Sequence, residues 1–194
     1  MWNSDGGFLS GCLKIVLSRK MDSINQYYNE RKDMKYYKKI QEILKSLDYQ
    51  SILDVGARKS PIFEHLDVSI EKTLLDIQKI PDQSGCQVIQ ADFYTWNPNK
   101  EYDIVLCLQV LEHLENPVDF CKKLFCTAKQ MVILSVPYKW KKGVCKYHIQ
   151  DPVDEEKLFS WTKRNPSESF IIQDGKERLI CCYKITKSLE NMQG

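Results

Sequence analysis

Short apolar runs that stop at turn-forming or acidic residues recur along the chain and predict the strands of a buried sheet. Five of these runs occupy residues 51–55, 73–76, 86–90, 102–108 and 131–136. The fourth run is apolar almost throughout, which is typical of a strand that is covered on both faces. The pattern therefore predicts a sheet whose strands lie mainly in the interior.

Between these runs, apolar residues recur at three- and four-residue spacing, which is typical of amphipathic helices. The spacing predicts helices over residues 22–47, 62–68, 117–129 and 151–161. Two final apolar runs flank the pair Asp174-Gly175, which is a strong signal for a β-hairpin. Strands that alternate with helices and end in such a hairpin predict a parallel α/β sheet with right-handed crossovers.

The N-terminal residues form a segment with its own character. Residues 1–20 combine a broad apolar face with three basic side chains, which suits a helix that caps the domain, binds a partner or lies on a membrane surface. We favour the cap, because three basic residues are few for a membrane anchor. The chain then divides into an N-terminal helical cap segment, residues 1–47, and a domain over residues 48–194, and the two form one compact unit.

Composition and charge narrow the classes of protein that need to be considered. The chain has 194 residues, 28% of them charged, and a formal net charge of +2, which gives no global argument for nucleic-acid or membrane binding. No apolar run is long enough to cross a bilayer. The eight cysteines include no C-x-x-C pair, so we expect no disulfide framework and no metal site, and a reducing cytoplasm fits best.

Three acids follow successive predicted strands: Asp54, Asp76 and Asp92. In an open α/β sheet, ligands bind at the carboxyl ends of the strands, where Asp76 is placed to accept hydrogen bonds from ribose hydroxyls. Asp92 could accept from an adenine amine, with Phe93 packing on the ring. Gly56 permits a left-handed turn or a close approach of a ligand. Each acid alone is more often a helix cap, but the three together predict a site for a cofactor that carries adenosine.

These motifs resemble the class I S-adenosylmethionine-dependent methyltransferases, above all the small-molecule branch that includes ubiquinone-biosynthesis-type enzymes. The matching stretches are residues 52–56, 74–76, 92–93, 102–117 and 135–137. The resemblance implies a Rossmann-like, doubly wound, mostly parallel seven-stranded sheet with an antiparallel last strand. It also implies S-adenosylmethionine as methyl donor and S-adenosylhomocysteine as product. The cofactor contacts that it implies are Asp54, Gly56, Ala57, Arg58, Asp76, Ile77, Asp92, Phe93, Leu108 and Gln109.

The chain departs from the family in the loop after the first strand. The family carries D-x-G-x-G-x-G there, whereas Arg58 and Ser60 stand at the second and third glycine positions. An arginine at this place would crowd the methionine part of the cofactor unless it points away or pairs with the cofactor carboxylate. Two interpretations follow: an active methyltransferase, or a methyltransferase-like binding module with weakened catalysis. A nucleotide-dependent dehydrogenase is disfavoured because the loop lacks G-x-G-x-x-G.

The candidate catalytic residues are two of the three histidines. His148 follows the fifth strand and could act as a general base, and His113 sits just beyond the fourth strand, whereas His65 is expected to be structural. A loop role for His148 and a site-shaping role for His113 are the alternatives. The lysines of residues 139–146 favour an anionic acceptor, such as a phosphorylated or nucleotide-linked sugar or an acidic lipid head group. Nucleic acid and a membrane span are not expected, and the oligomeric state is left open.

Overall fold

A single seven-stranded sheet organises the chain in the computed structural model, which describes residues 26 and 28–186. Its strand order is β3-β2-β1-β4-β5-β7-β6. Strands β1 to β5 pair in parallel, and β7 runs antiparallel to both β5 and β6. The predicted Rossmann-like sheet with an antiparallel last strand is confirmed. The strands are β1 Ser51–Val55, β2 Glu71–Asp76, β3 Cys86–Gln90, β4 Tyr102–Leu108, β5 Ala128–Pro137, β6 Glu168–Asp174 and β7 Lys176–Lys184.

Helices cover both faces of this sheet, because alternate residues of each strand point to opposite sides. The helices are α1 Lys35–Lys45, α2 Pro117–Thr127 and α3 Glu155–Thr162. Leu53 of β1 belongs to the cluster that α2 and α3 cover, whereas its neighbour Ile52 belongs to the cluster under α1. Each central strand is therefore buried on two sides, as its apolar run predicts. None of the described helices has the length and apolar composition that a bilayer span requires.

The predicted long helix over residues 22–47 is interrupted. Residues 28–31 are helical, the chain turns at 32–33, and a second helix, α1, begins at Lys35. The break comes at Met34, whose extended backbone (ψ 140°) cannot continue a helical hydrogen-bond ladder. Residues 1–25 and Tyr27 lie outside the described residues, so the cap segment stays a prediction, as does the division of the chain at residue 47.

Two other helix predictions need correction. Residues 62–68 form only a single 3-10 turn, Phe63–His65, because Leu66 returns to an extended conformation. The predicted apolar face shrinks accordingly, with Phe63 buried and Val68 fully exposed. The helix expected from Asp151 begins instead at Glu155, where the Asp154 side chain caps it by accepting a hydrogen bond from Lys157 N. Asp151 therefore lies outside the helix and is available for another role.

Candidate active site

The carboxyl ends of five parallel strands meet at one edge of the sheet, and most of the predicted site residues lie there. The turn after β1 contains Gly56, β2 ends on Asp76, and Gln109 follows β4. The loop after β5 contains His148 and ends near the start of α3. The topology thus brings together residues that are almost one hundred positions apart in the sequence.

The turn after β1 keeps the backbone of a glycine-rich loop despite its two substitutions. Gly56 has φ +75°, and an added Cβ there would lie 2.5 Å from Val110 Cγ2. Arg58 also adopts a left-handed conformation, with φ +47°, so it reproduces the geometry that a glycine would supply. Arg58 is exposed and Ser60 is buried. The departure from the family pattern therefore changes the side chains of this loop more than its course.

Asp76 joins this turn to the loop after β2. Its Oδ2 accepts a hydrogen bond from Arg58 N at 3.0 Å, and its Oδ1 accepts one from Gln78 N at 2.8 Å. A carboxylate offers about four acceptor positions, so each oxygen retains capacity for a ligand hydroxyl. Asp54 lies deeper, on β1, where burial and, to a lesser extent, the neighbouring charge of Asp76 raise its pKa to about 7. Asp54 is the more buried of the two acids, and Asp76 is the one that contacts the backbone of the turn.

The remaining predicted cofactor residues divide between the surface and the interior. Ile77 exposes 65% of its surface beside Asp76, which leaves an apolar side chain at the edge. Phe93 is buried, and its ring packs against Phe120 with centroids 4.8 Å apart. The expectation that the Phe93 ring packs on adenine is therefore not met by this structure, because the ring belongs to the core under α2.

Two polar residues complete this side of the edge. Asp92 accepts a hydrogen bond from Tyr94 N at 2.9 Å and so shapes its own loop. Gln109, with φ +57°, donates from its backbone to Ser135 O at 2.8 Å and from its side chain to Ser135 Oγ at 3.2 Å. Leu108 ends β4 beside it. These contacts tie the end of β4 to β5 and hold the edge in one shape.

The histidines predicted to be catalytic are neighbours. The rings of His113 and His148 meet edge to face with centroids 4.8 Å apart, and each Nε2 lies 3.9 Å from Glu112 Oε1. The loop after β5 reaches this place because Ile149 N and Gln150 N donate to the backbone oxygen of Glu112 at 3.0 and 3.2 Å. Two segments 35 residues apart in the sequence thus form one cluster.

Glu112 is the residue at the centre of this cluster that sequence reasoning did not assign. It is completely buried, and neither of its carboxylate oxygens accepts a hydrogen bond from the described residues. Burial raises its pKa to about 8, and the charge of Asp151 contributes to the rise, whereas Arg31 and Arg178 oppose it. A buried carboxyl group without a hydrogen-bond donor costs folding free energy, which makes Glu112 a candidate member of a binding site.

Asp151 is the second residue that the sequence did not reveal. Its Oδ2 lies 2.9 Å from His148 Nδ1, and both side chains are buried. Because a carboxylate only accepts hydrogen bonds, this contact assigns the hydrogen to Nδ1 and leaves Nε2 as the acceptor nitrogen. Trp140 stacks on the His148 ring with centroids 5.6 Å apart. Asp151 and Trp140 thus together hold the His148 ring in one orientation.

His113 is less constrained than His148. Its Nδ1 lies 2.9 Å from Tyr147 O, and its side chain remains 39% exposed. Burial lowers its pKa, with the nearby positive charges of His148 and Arg58 acting in the same direction.

Glu112, His113 and His148 together have the donor set of a divalent-cation site. One ligand atom from each lies within 4.8 Å of the others. Two imidazoles and a carboxylate suit zinc, manganese or iron. Within residues 26 and 28–186 this is the one such group. The sequence predicted no metal site, because the ligands come from separate segments without a recognisable spacing.

The chain is similar to known proteins in sequence and in fold. No protein-family model matches the chain. A ubiquinone biosynthesis O-methyltransferase of Rickettsia bellii (strain OSU 85-389) is 25% identical over 179 residues, which cover 84% of this chain and 66% of the relative. The chain thus spans just under two thirds of the length of that relative.

Solved structures give the decisive likeness. An S-adenosylmethionine-dependent methyltransferase from Clostridium acetobutylicum superposes with a TM-score of 0.62 at 10% identity, covering 86% of this chain and 99% of the other. The 1,6-didemethyltoxoflavin-N1-methyltransferase of Burkholderia thailandensis, solved with bound 1,6-didemethyltoxoflavin and S-adenosylhomocysteine, gives a TM-score of 0.66 at 13% identity, covering 96% of this chain and 94% of the other. The chain has the class I methyltransferase fold.

Within this methyltransferase fold, the predicted residues form two adjacent sites. The Gly56–Arg58 turn, Asp76 and Ile77 lie at the ends of β1 and β2, whereas Glu112 and the histidines lie beyond β4 and β5. The first group was visible in the sequence because each member ends a strand or directly follows one. Glu112 was visible only as part of a motif, and Asp151 only as the start of a helix that begins elsewhere.

Proposed function

We propose that the protein is a methyltransferase that uses S-adenosylmethionine to methylate a small molecule or a glycan or nucleotide-sugar precursor. The fold and the curated O-methyltransferase relatives support the reaction class. The observation that carries the proposal is the buried Glu112, whose oxygens accept no hydrogen bond from the described residues, beside an oriented His148. A module that only bound the cofactor would gain nothing from retaining so costly an arrangement next to the cofactor edge.

The described residues fit this cofactor. Asp76 would accept hydrogen bonds from the ribose hydroxyls, since both of its oxygens retain acceptor capacity. The exposed Ile77 would cover an apolar ring face, while Gly56, packed closely against Val110, would keep the turn beside Asp76 in its left-handed course. When bound, the cofactor supplies a methyl group on a positively charged sulfur. The chain holds and orients its two reactants and excludes water from them.

His148 would remove the proton of an acceptor hydroxyl. Its Nε2 is the atom left to accept that proton, because Nδ1 is engaged with Asp151 Oδ2. Asp151 would stabilise the resulting positive charge on the imidazole, as a buried carboxylate does for a catalytic histidine. Trp140 fixes the plane of the ring. Deprotonation makes the oxygen a stronger nucleophile at neutral pH.

The same cluster supports a second way to activate the acceptor. A divalent cation held by Glu112, His113 and His148 would lower the pKa of an acceptor hydroxyl that it binds. It would also neutralise Glu112, whose oxygens have no partner in the described chain. Isothermal titration with Zn²⁺ and Mn²⁺, before and after Glu112→Gln, separates the two routes. Tight binding that the substitution abolishes supports the cation, and no binding leaves His148 as the base.

The accompanying proposals concern location and partners. All seven cysteines in the described part of the chain are free, which suits the reducing cytoplasm. The basic loop after β5 supports an anionic, glycan-type small molecule as acceptor rather than nucleic acid. Size-exclusion chromatography with light scattering would establish the oligomeric state, which nothing in the chain predicts.

Calorimetric titration with S-adenosylhomocysteine tests the cofactor assignment directly. We expect saturable heat release, and no heat at millimolar ligand would overturn the proposal. Transfer of a labelled methyl group from S-adenosylmethionine into fractionated small-molecule extracts then separates an enzyme from a binding module. Binding without transfer to any fraction, at both neutral and mildly alkaline pH, would favour the module.

A further inference from the structure

Arg178 is a buried positive charge at the edge of the sheet where the two candidate sites lie. It pairs with Pro137, the last residue of β5, because β7 runs antiparallel and begins where the parallel strands end. Its side chain lies on the same side of the sheet as Ile180, under α1. The proposed base His148 belongs to the loop that continues from Pro137. Arg178 therefore stands beside the acceptor half of the edge.

The guanidinium of Arg178 is only partly satisfied within the described chain. The residue is 3% exposed, and both of its hydrogen bonds come from Nη1, to Asp174 O at 3.1 Å and to Lys176 O at 3.2 Å. The nearest carboxylate oxygen, Asp174 Oδ2, is 4.0 Å away and already accepts from Tyr36 N. Nε is buried without an acceptor. A desolvated guanidinium with an empty donor is costly unless an anion completes it.

Aromatic rings connect this charge to the base. The Arg178 Cζ atom lies 5.0 Å from the centre of the Tyr36 ring and 5.5 Å from that of Trp140. Trp140 also stacks on His148, and Lys176 Nζ lies 4.9 Å from its ring centre. Two cations and the proposed base thus contact one indole. A flat apolar wall with a few charged groups around it is the usual composition of a small-molecule site.

We propose that Arg178 binds a carboxylate or phosphate group of the methyl acceptor, with Trp140 as the wall against which the body of the acceptor lies. The planar fork of an arginine matches the oxygens of either anion, and Lys176 adds a second positive charge. Bound in this way, the acceptor is oriented so that its nucleophile faces His148. The inference rests on the proposed methyl transfer for its role, but not for its binding chemistry.

The test uses three small aromatic probes that share a ring and differ in charge: benzoate, phenyl phosphate and neutral benzamide. Binding is followed by the ¹⁵N–¹H signal of the Trp140 indole, which donates to Glu177 O at 2.8 Å and is assigned with Trp140→Phe. We expect the two anions to shift this signal at millimolar concentration and benzamide to leave it in place. Equal shifts with benzamide, or none with either anion, would overturn the proposal.

Arg178→Met keeps the length and apolar character of the stem and removes the charge. We expect it to weaken binding of both anions about tenfold to a hundredfold, as the loss of charged hydrogen bonds does. Arg164→Met is the control, since Arg164 also stacks on an aromatic ring, Phe125, but lies in the loop between α3 and β6. Its anion affinity should equal that of the wild type. Unchanged affinity in Arg178→Met would refute the assignment.

A second variant keeps the test informative if Arg178→Met does not fold. Arg178→Lys keeps the charge but loses the fork, so anions should still bind better than benzamide, although more weakly than in the wild type. Loss of all preference for anions over benzamide in a folded Lys variant would contradict a charge-based site. A parallel titration with S-adenosylhomocysteine separates the two proposals. Anion binding without cofactor binding would keep the Arg178 site and overturn the methyl-transfer function.

Discussion

On the β1–β2 side of the carboxyl edge, Asp76 accepts a backbone hydrogen bond on each of its carboxylate oxygens. On the β4–β5 side, neither oxygen of Glu112 accepts a hydrogen bond from the described residues, although Glu112 is the more deeply buried of the two. The charge of Asp76 is therefore satisfied without a ligand, because adjacent loops donate to it. Glu112 lacks such donors within the described chain, and we propose that a bound molecule or cation would complete it.

The difference has a simple origin in the chain. Asp76 ends its own strand, so the backbone amides of the next few residues are close to it. Glu112 lies on a 3-10 turn, and its surroundings come from the loop after β5. Where residues meet only through tertiary contacts, their polar side chains must be satisfied by one another or by a ligand. The four predictions below act on one side or the other of this division.

The largest effect is expected on the acceptor side, from His148→Ala. Removing a general base lowers kcat by about a hundredfold to ten-thousandfold. Affinity for S-adenosylhomocysteine should not change, because His148 is not among the residues placed on the cofactor side. Release of S-adenosylhomocysteine in the presence of an acceptor measures kcat, and calorimetry measures the affinity for S-adenosylhomocysteine. Asp151→Asn should also lower kcat. Full turnover in either variant would mean that His148 and Asp151 do not act in catalysis.

Gly56→Ala tests the cofactor side by adding a methyl group to the turn after β1. The new methyl group would meet Val110 Cγ2 at 2.5 Å and would also be strained by the φ of +75°. Together these cost about 2–4 kcal/mol of unfolding free energy, measured by urea denaturation. Gly175→Ala is the control, since it has φ +73° but no atom within 4 Å of its added Cβ. If the two variants lose equal stability, the close approach to Val110 contributes nothing.

Asp76→Ala tests the ligand-facing acid. We expect binding of S-adenosylhomocysteine to weaken by about 1–3 kcal/mol, as lost hydrogen bonds to a charged group do. Calorimetry measures the change, with Asp92→Ala as a comparison on the neighbouring loop. An unchanged affinity in Asp76→Ala would mean that the ribose contact is made elsewhere. The Arg58 and Gln78 amides would also lose their acceptor, so unfolding should be measured beside binding.

The last prediction is a pH dependence of stability. Burial raises the pKa of Asp54 to about 7, so between about pH 4 and 7 the folded protein holds a proton that the unfolded chain has lost. Stability therefore falls as pH rises through this window, by at most about 1.4 kcal/mol per pH unit for one proton. Asp54→Asn should remove this part of the slope, as measured by urea unfolding at several pH values.

Asp103 supplies the control with the opposite sign. Although burial opposes it, hydrogen bonds from Gln50 N and from the Ser51 backbone and hydroxyl lower the pKa of Asp103. Its contribution to stability is complete above the ordinary aspartate range and is lost in stronger acid. Asp103→Asn should therefore lower stability equally across pH 5 to 7 and leave the slope intact. A changed slope in that variant would assign the pH dependence to another group.

The sheet could be predicted from the sequence because a strand buried on both faces must be apolar over its whole length. The helices were harder. Ile62, Phe63 and Leu66 have helical spacing, but one 3-10 turn is enough to bury the first two. Apolar spacing reports which residues are buried, and it does not report how many turns bury them.

The candidate site could likewise be predicted only in part. Asp76 was predictable because its position at a strand end determines its role. The partnership of His148 with Asp151, and of both with Glu112, depends on a loop folding over a 3-10 turn formed 35 residues earlier. Phe93 shows the converse error, since its place in the motif suggested a ligand contact while α2 required its ring for packing.

The attachment of the loop after β5 has a consequence for how this chain can vary. Near its start Tyr138 N donates to Glu177 O, and near its end Gln150 N donates to Glu112 O. Between them, an added Cβ at Gly143 would meet no atom within 4 Å. Extra residues at this tip would cost only the slowly growing entropy of closing a longer loop. The tip around Gly143 is therefore the place where the chain could be lengthened to admit a larger acceptor without rebuilding the cluster beneath it.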